Sequence, residues 1–229
     1  MAMAVPIHMN MWRQRMSTDR DILTLAQWLS PSYPVGAFAY SHGLEAAIQT
    51  GAINTGEDLD EWLTDIICHG SGRNDCILLR AAYAADDVAL GVVNDTALAF
   101  AASAERQLEQ TLQGSAFCKT TAAIWGGDDA SYVYPVAVGA AAAKLGIKVS
   151  LTAAMYLHAV ISNLISASMR LMALGQIKGQ KMLAALTPLS DDTAKATAGM
   201  TLDDLQSTAF LVDIAAMHHE TQQPRIFRT

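Results

Sequence analysis

Charge is scarce in this chain of 229 residues. Only 16% of positions are charged and 52% are hydrophobic, whereas an ordinary soluble domain carries charge at about 25% of positions. The little charge present leans acidic, with a net of −7 and no sizeable Lys/Arg cluster. A phosphate backbone therefore finds no electrostatic footprint, which argues against DNA and RNA as ligands. Cysteine is nearly missing. Cys68, Cys76 and Cys118 are an odd count without CxxC spacing, so a disulfide framework is excluded and a reducing cytoplasm fits best. No second thiol or basic neighbour activates any of them, and they read as small buried hydrophobes.

Hairpin turn pairs and β-branched runs are missing as well, which excludes a sandwich or barrel. Absent too are a GxxxxGK[ST] loop, a strand-led GxGxxG and a nucleophile elbow, so nucleotide hydrolysis and serine-hydrolase chemistry lack their equipment. Any GTP must be handled by another protein. No Glu-x-x-His pairs are available for a di-iron bundle.

What remains is rich in Ala, Leu, Met and Gln, which points to an all-α fold. The expected architecture is a single-domain bundle of about nine or ten helices. Residues 1–18 read as a flexible leader, 19–223 as the helical domain and 224–229 as a C-terminal docking tail. The first helix is expected from about Asp19 to Ser30, stopped by Pro31, with Ser17, Thr18 or Asp19 as cap. A second spans about Tyr40 to Thr50. A third is capped by Asn54 or Thr55 and carries Leu59, Trp62, Leu63, Ile66 and Ile67 at helical spacing. Helices follow over about Asn74 to Ala84, Asp87 to Val93, and Asp95 toward Trp125 with a break at Gly114, before the Gly126 to Asp129 loop. Pro135 to Leu145, Leu151 to Leu174 and Gln176 to Leu186 come next. A polar connection around Pro188 to Gly199 precedes a last helix from a Thr201 cap to near Pro224. Leu151 to Met169 is uncharged over about the length of a bilayer span. His158, Ser162 and Asn163 interrupt it, so it reads as the buried central helix of the bundle.

Candidate ligand types are few and poorly spaced. His42 and Glu45 share a helical face and are expected to form a local hydrogen bond or ion pair. His218 and His219 are the nearest approach to a nickel site, since imidazole suits nickel. Adjacent residues diverge by about 100° on a helix, so favourable charge at the helix C-terminus is the simpler account. His158 reads as a satisfied core histidine.

The run from Leu23 to Glu45, LTLAQWLSPSYPVGAFAYSHGLE, resembles the N-terminal signature of the UreF family of urease accessory proteins. Further segments match in order: Gln113 to Phe117, Tyr134 to Gly139 with Gly146, Asn163 to Gln180, and the closing HHETQQPRIFRT from His218 to Thr229, where Ile226 and Thr229 replace the family's Leu and Ser. The resemblance covers about Asp21 to Thr229. It implies an all-α, non-enzymatic cytoplasmic adaptor, a homodimer, that works with UreD (also called UreH) and the GTPase UreG on apo-urease. No cofactor is held permanently; nickel is handled by the complex and GTP by the partner GTPase.

Two motifs then become candidate partner-binding elements. In the first, Pro34, Gly36, Phe38, Tyr40, Ser41, Gly43, Leu44 and Glu45 alternate small residues with large ones; intramolecular packing and a dimer or partner contact explain this equally well. In the second, Arg225, Phe227 and Arg228 follow Pro224 in a segment too short for its own core, which suits a docking peptide better than a disordered basic tail. A metal-dependent helical enzyme and an unrelated helical interaction protein are the rival readings.

Overall fold

The computed structural model describes residues 17–127 and 130–228. The leader as far as residue 16, the Asp128-Asp129 part of the expected loop, and Thr229 lie outside the described residues. Helices α1 (Asp19–Trp28), α2 (Leu44–Gln49), α3 (Gly56–His69), α4 (Ser71–Ala84), α5 (Asp87–Ala99), α6 (Ala104–Trp125), α7 (Tyr134–Leu145), α8 (Val149–Leu171), α9 (Gln176–Ala196) and α10 (Phe210–His219) follow one another, with no strand among the described residues.

Local chemistry sets most of the starts. Thr18 and Asp21 form a reciprocal capping box: the Thr18 hydroxyl accepts from the Asp21 N–H at 3.2 Å and the Asp21 carboxylate from the Thr18 N–H at 2.8 Å. Thr55 and Asp58 repeat it at α3, while Asp86 and Ser103 cap α5 and α6. Each such cap is worth about 1 kcal/mol.

Four boundaries differ from expectation, each for a tertiary reason. The helix expected from Tyr40 begins only at Leu44, because His42 (φ 51°) and Gly43 (φ 76°) are left-handed. The long central stretch divides at Phe100 to Ser103 and runs unbroken through Gly114. A Cβ at Gly114 would lie 1.9 Å from the Tyr132 carbonyl oxygen, so this glycine admits a crossing segment and does not end the helix. Helix α9 continues through Pro188 to Ala196, where a connection was expected. Pro188 forfeits one backbone bond, but Leu186, Ser190 and Ala194 are buried on a helix packed against α8 and α3, and that packing carries the chain past the proline. Finally, Thr201 caps only the 3-10 turn Leu202–Asp204. The chain then runs irregularly to α10, tied to the α3–α4 corner by Thr208 N–H to the His69 carbonyl (3.0 Å) and Asn74 to the Gln206 carbonyl (2.8 Å).

Helix α8 packs against α1, α2, α3, α4, α7 and α9. Its inner side, including Thr152, Ala153, Tyr156, Leu157, Ile161, Leu164 and Ile165, is buried. The outer flank is covered only in part: His158, expected in the core, is half-buried and lines a groove with Ala26, Met155 and Asp191. An aromatic chain joins four helices through the core. Trp28 meets Phe117 at 5.4 Å between centroids, Phe117 meets Tyr134 at 5.8 Å, and Tyr134 meets Tyr156 at 5.4 Å. Cys76 is buried, and burial pushes its thiol up to about 12; Cys68 and Cys118 are half-buried.

Glycine environment separates two substitutions of identical chemistry. Gly91 within α5 has nothing within 4 Å of a built Cβ, so Gly91→Ala should stabilise by up to about 1 kcal/mol through helix propensity. Gly114→Ala should destabilise by about 1–3 kcal/mol by overpacking against backbone. Paired melting curves check this, and equal shifts of one sign would contradict the packing described.

Candidate functional site

The first candidate motif is divided by the fold into exposed and buried members. Pro34 and Phe38 are exposed, Phe38 at 69%. Tyr40, Ser41, Gly43, Leu44 and Glu45 are buried within the chain. Gly36 and Gly43 both adopt positive φ, 73° and 76°, a conformation that glycine takes at little cost. Only Gly43 also admits a close approach: a Cβ there would lie 2.6 Å from the Ala216 nitrogen of α10.

The tail of the chain returns to the same place. Arg228 N–H donates to the Ala39 carbonyl at 2.8 Å. Ile226 and Phe227 N–H groups donate to the two Glu45 carboxylate oxygens at 2.7 and 2.8 Å. Arg225 bonds Glu105 at 2.8 Å. Phe227 is 3% exposed, with the Arg170 guanidinium 4.5 Å above its ring, and Arg170 also donates to the Phe38 carbonyl at 3.2 Å. The tail thus belongs to the fold of its own chain. A docking peptide contributing little to the fold was expected, yet these contacts tie the segment down: Glu45 offers the tail two acceptors, and the Arg170 guanidinium covers the Phe227 ring. The exposed side chains are Phe38, Ile226 (63%) and the two arginines, Arg225 reaching back to Glu105 and Arg228 to the Tyr40 phenol, beside exposed Pro34.

Beneath this patch lies a buried ionic layer that sequence reading did not find. His42 and Glu45 do not pair with each other, because the left-handed turn at His42 and Gly43 separates them. His42 Nε2 instead lies 2.9 Å from Glu109 and 2.7 Å from an Arg106 nitrogen. One tautomer cannot serve both, since that nitrogen either accepts from Arg106 or donates to Glu109. Arg106 bonds Asp75 at 2.7 Å, and Asp75 also accepts from Tyr156 at 2.8 Å and Gln110 at 3.2 Å. Burial alone would raise the Glu109 carboxyl, but His42 and Arg106 together hold it below its ordinary value. The Tyr156 phenol goes well above its ordinary value, by burial first and by the Asp75 charge second. Burial, with Glu109 behind it, raises the Tyr40 phenol against the opposing pull of Arg228, whose guanidinium bonds it.

The two candidate nickel histidines part company. His218 is exposed, whereas His219 is wholly buried between Glu105 (Nδ1, 2.7 Å) and Glu45 (Nε2, 3.2 Å). Its nitrogens address carboxylates on opposite sides of the ring. Among the described residues no group of three or more His, Cys, Asp or Glu could hold a metal ion. Glu105, Arg170 and Ile226 are the members that sequence reasoning missed; their signal is purely tertiary, since more than a hundred positions separate Glu105 from its partners His219 and Arg225.

Among the described residues the fold is all-helical, and its buried charges hold the exposed patch in shape. Comparison gives the chain a family. A family profile described as UreF matches residues 53–187. The urease accessory protein UreF of Ruegeria pomeroyi is 51% identical over 213 residues, 93% of this chain and 98% of that protein. That of Roseobacter denitrificans is 50% identical over 93% of this chain and 96% of its own length. One from Cereibacter sphaeroides is 47% identical over 92% and 100%. The chain belongs to the UreF family of urease accessory proteins, which are maturation factors and not enzymes.

The buried pairing sets an acid limit on the fold. Because the folded Glu109 carboxyl lies below its unfolded value of 4.5, its contribution is complete above that value and is lost as pH falls through the folded one. Glu109→Ala leaves His42 and Arg106 without their shared counter-charge, and should cost about 3–5 kcal/mol at neutral pH. Denaturant unfolding at neutral pH and at pH below 4.5 checks both. A variant of wild-type stability at neutral pH would contradict the ionic layer.

Proposed function

We propose that this protein is a non-enzymatic adaptor for nickel incorporation into apo-urease, bridging UreD (UreH) and the GTPase UreG, as a cytoplasmic homodimer. It binds no permanent cofactor. Nickel is handled by the assembled complex and GTP by the partner GTPase. The observation that carries this reading is the composite patch: two segments at opposite ends of the chain, Pro34 to Glu45 and Arg225 to Arg228, are bonded together on the same acidic side chain, Glu45. Exposed Phe38 and Ile226 between exposed arginines are the residue types that anchor protein interfaces. The patch supports docking onto UreD. The missing phosphate loop supports leaving GTP hydrolysis to UreG.

On this reading the buried members of the two motifs act by positioning. Tyr40, Ser41, Gly43, Leu44, Glu45 and Phe227 hold the patch in shape, while Pro34, Phe38, Arg225, Ile226 and Arg228 meet the partner.

Phe38→Asp and Ile226→Asp should therefore keep the wild-type melting temperature, because both side chains already face solvent. Each should weaken capture of UreD by about 1–4 kcal/mol, the range of interface anchors, and reduce urease activation in cells accordingly. Phe227→Ala should differ in kind, lowering stability by about 2–4 kcal/mol. The measurements are a pull-down with the partner beside melting curves. Undiminished capture by both exposed-site variants would remove the patch as the docking surface, and a stoichiometric nickel site in the isolated chain, abolished with His42 or His219, would favour a metal enzyme instead.

A further inference from the structure

His219, at 0% exposure, is a titratable side chain that the adaptor reading leaves unused. Its surroundings decide its protonation by donor counting. Both ring nitrogens lie within hydrogen-bond distance of a carboxylate oxygen, Nδ1 of Glu105 and Nε2 of Glu45. A neutral imidazole has one N–H and one lone pair, so it satisfies one of these contacts and turns a lone pair on the other. Glu45 is poorly placed to supply the missing proton, because each of its oxygens already accepts a backbone N–H from the tail. The remaining Glu105 oxygen accepts from Arg225. With Glu105 paired to Arg225 as a carboxylate, both donors come from the ring.

We propose that His219 is an imidazolium, and that this one buried proton latches the C-terminal segment to the rest of the chain. With it, the cluster is balanced: Glu45 and Glu105 against His219 and Arg225. Those are the charged groups facing the ring from α2, from α6 and from the tail; α3, also packed on α10, bonds no side chain to it. Without the proton, two buried carboxylates face one cation and a nitrogen lone pair opposes an oxygen at hydrogen-bond range. Such an uncompensated buried charge is strongly unfavourable. The relief that moves least structure is to release residues 225–228, which lets water reach Glu45. The latch therefore holds while the ring is charged and opens as rising pH strips the proton. Because Glu45 also lies in the first turn of α2, the same event loosens the floor of the exposed patch.

The test uses the full-length protein with 15N-labelled histidine rings, together with hydrogen exchange at the Ile226 and Phe227 amides. At neutral pH both His219 ring nitrogens should resonate as protonated. Protection of the two amides, corrected for intrinsic exchange, should fall by about tenfold or more as pH is raised from about 6 to about 9. Glu105→Gln supplies the decisive variant. Its amide oxygen can still accept from Arg225 while its NH2 donates to Nδ1, so a neutral ring suffices. Tail protection in this variant should lose its pH dependence while the amides of α4 and α8 keep theirs unchanged. A neutral His219 ring at neutral pH in the wild-type protein overturns the proposal, as does amide protection at Ile226 and Phe227 that stays constant over the same range. Neither measurement involves UreD, so its failure is distinct from failure of the docking surface.

Discussion

The first turns of α6 carry the charges that join parts of the chain far apart in sequence. Arg106 bonds Asp75 of α4 on one side and His42 of the left-handed turn on the other. Its neighbour Glu105 bonds His219 of α10 and Arg225 of the tail, and Glu109, one turn on, closes the pair with His42. A guanidinium with 12% of its side chain exposed is unfavourable unless it is paired; here Asp75 and Glu109, with side-chain exposures of 3% and 5%, supply the counter-charge to its terminal nitrogens, while its buried Nε has no partner. Alternative packings of the same helices would leave one or more of these charges buried alone.

That constraint explains why an exposed patch can be built from irregular backbone. The Pro31 to Gly43 segment has few backbone bonds of its own and would be mobile in isolation. It is fixed from below by His42, from the side by Arg170 to the Phe38 carbonyl, and at its edge by Arg228 to the Ala39 carbonyl. Side-chain entropy at Phe38 and Ile226 is still free to be lost on binding, but the backbone that carries them is already placed. Preorganisation of this kind raises affinity by lowering the cost of ordering, which suits the docking role proposed for the patch.

Much of the fold was legible in the sequence, because the all-α class, the helix starts near Thr18 and Thr55, each left among two or three capping residues, and the helical core stripe of α3 are written in local chemistry. Gly114 and Pro188 were misread for one reason. Each is a helix breaker by propensity, and each sits inside a helix because a neighbouring element demands it: the 132–134 backbone against Gly114, and α8 and α3 against the flanks of Pro188. The two motifs carrying the family resemblance were legible as motifs. Their division into an exposed surface and a buried support was not, since it depends on Glu45 and Glu105 meeting partners more than a hundred residues away. His219 was visible only as one of a pair, and nothing local distinguishes it from exposed His218.

The proposed docking surface is composite, joining Pro34 to Glu45 with Arg225 to Arg228. Hydrogen exchange across the whole protein, measured free and in complex with UreD, tests it most directly. New protection should appear together at the 36–40 backbone and at residues 225–228, with the α8–α9 groove unchanged. Protection confined to that groove, or to one of the two segments without the other, would contradict it.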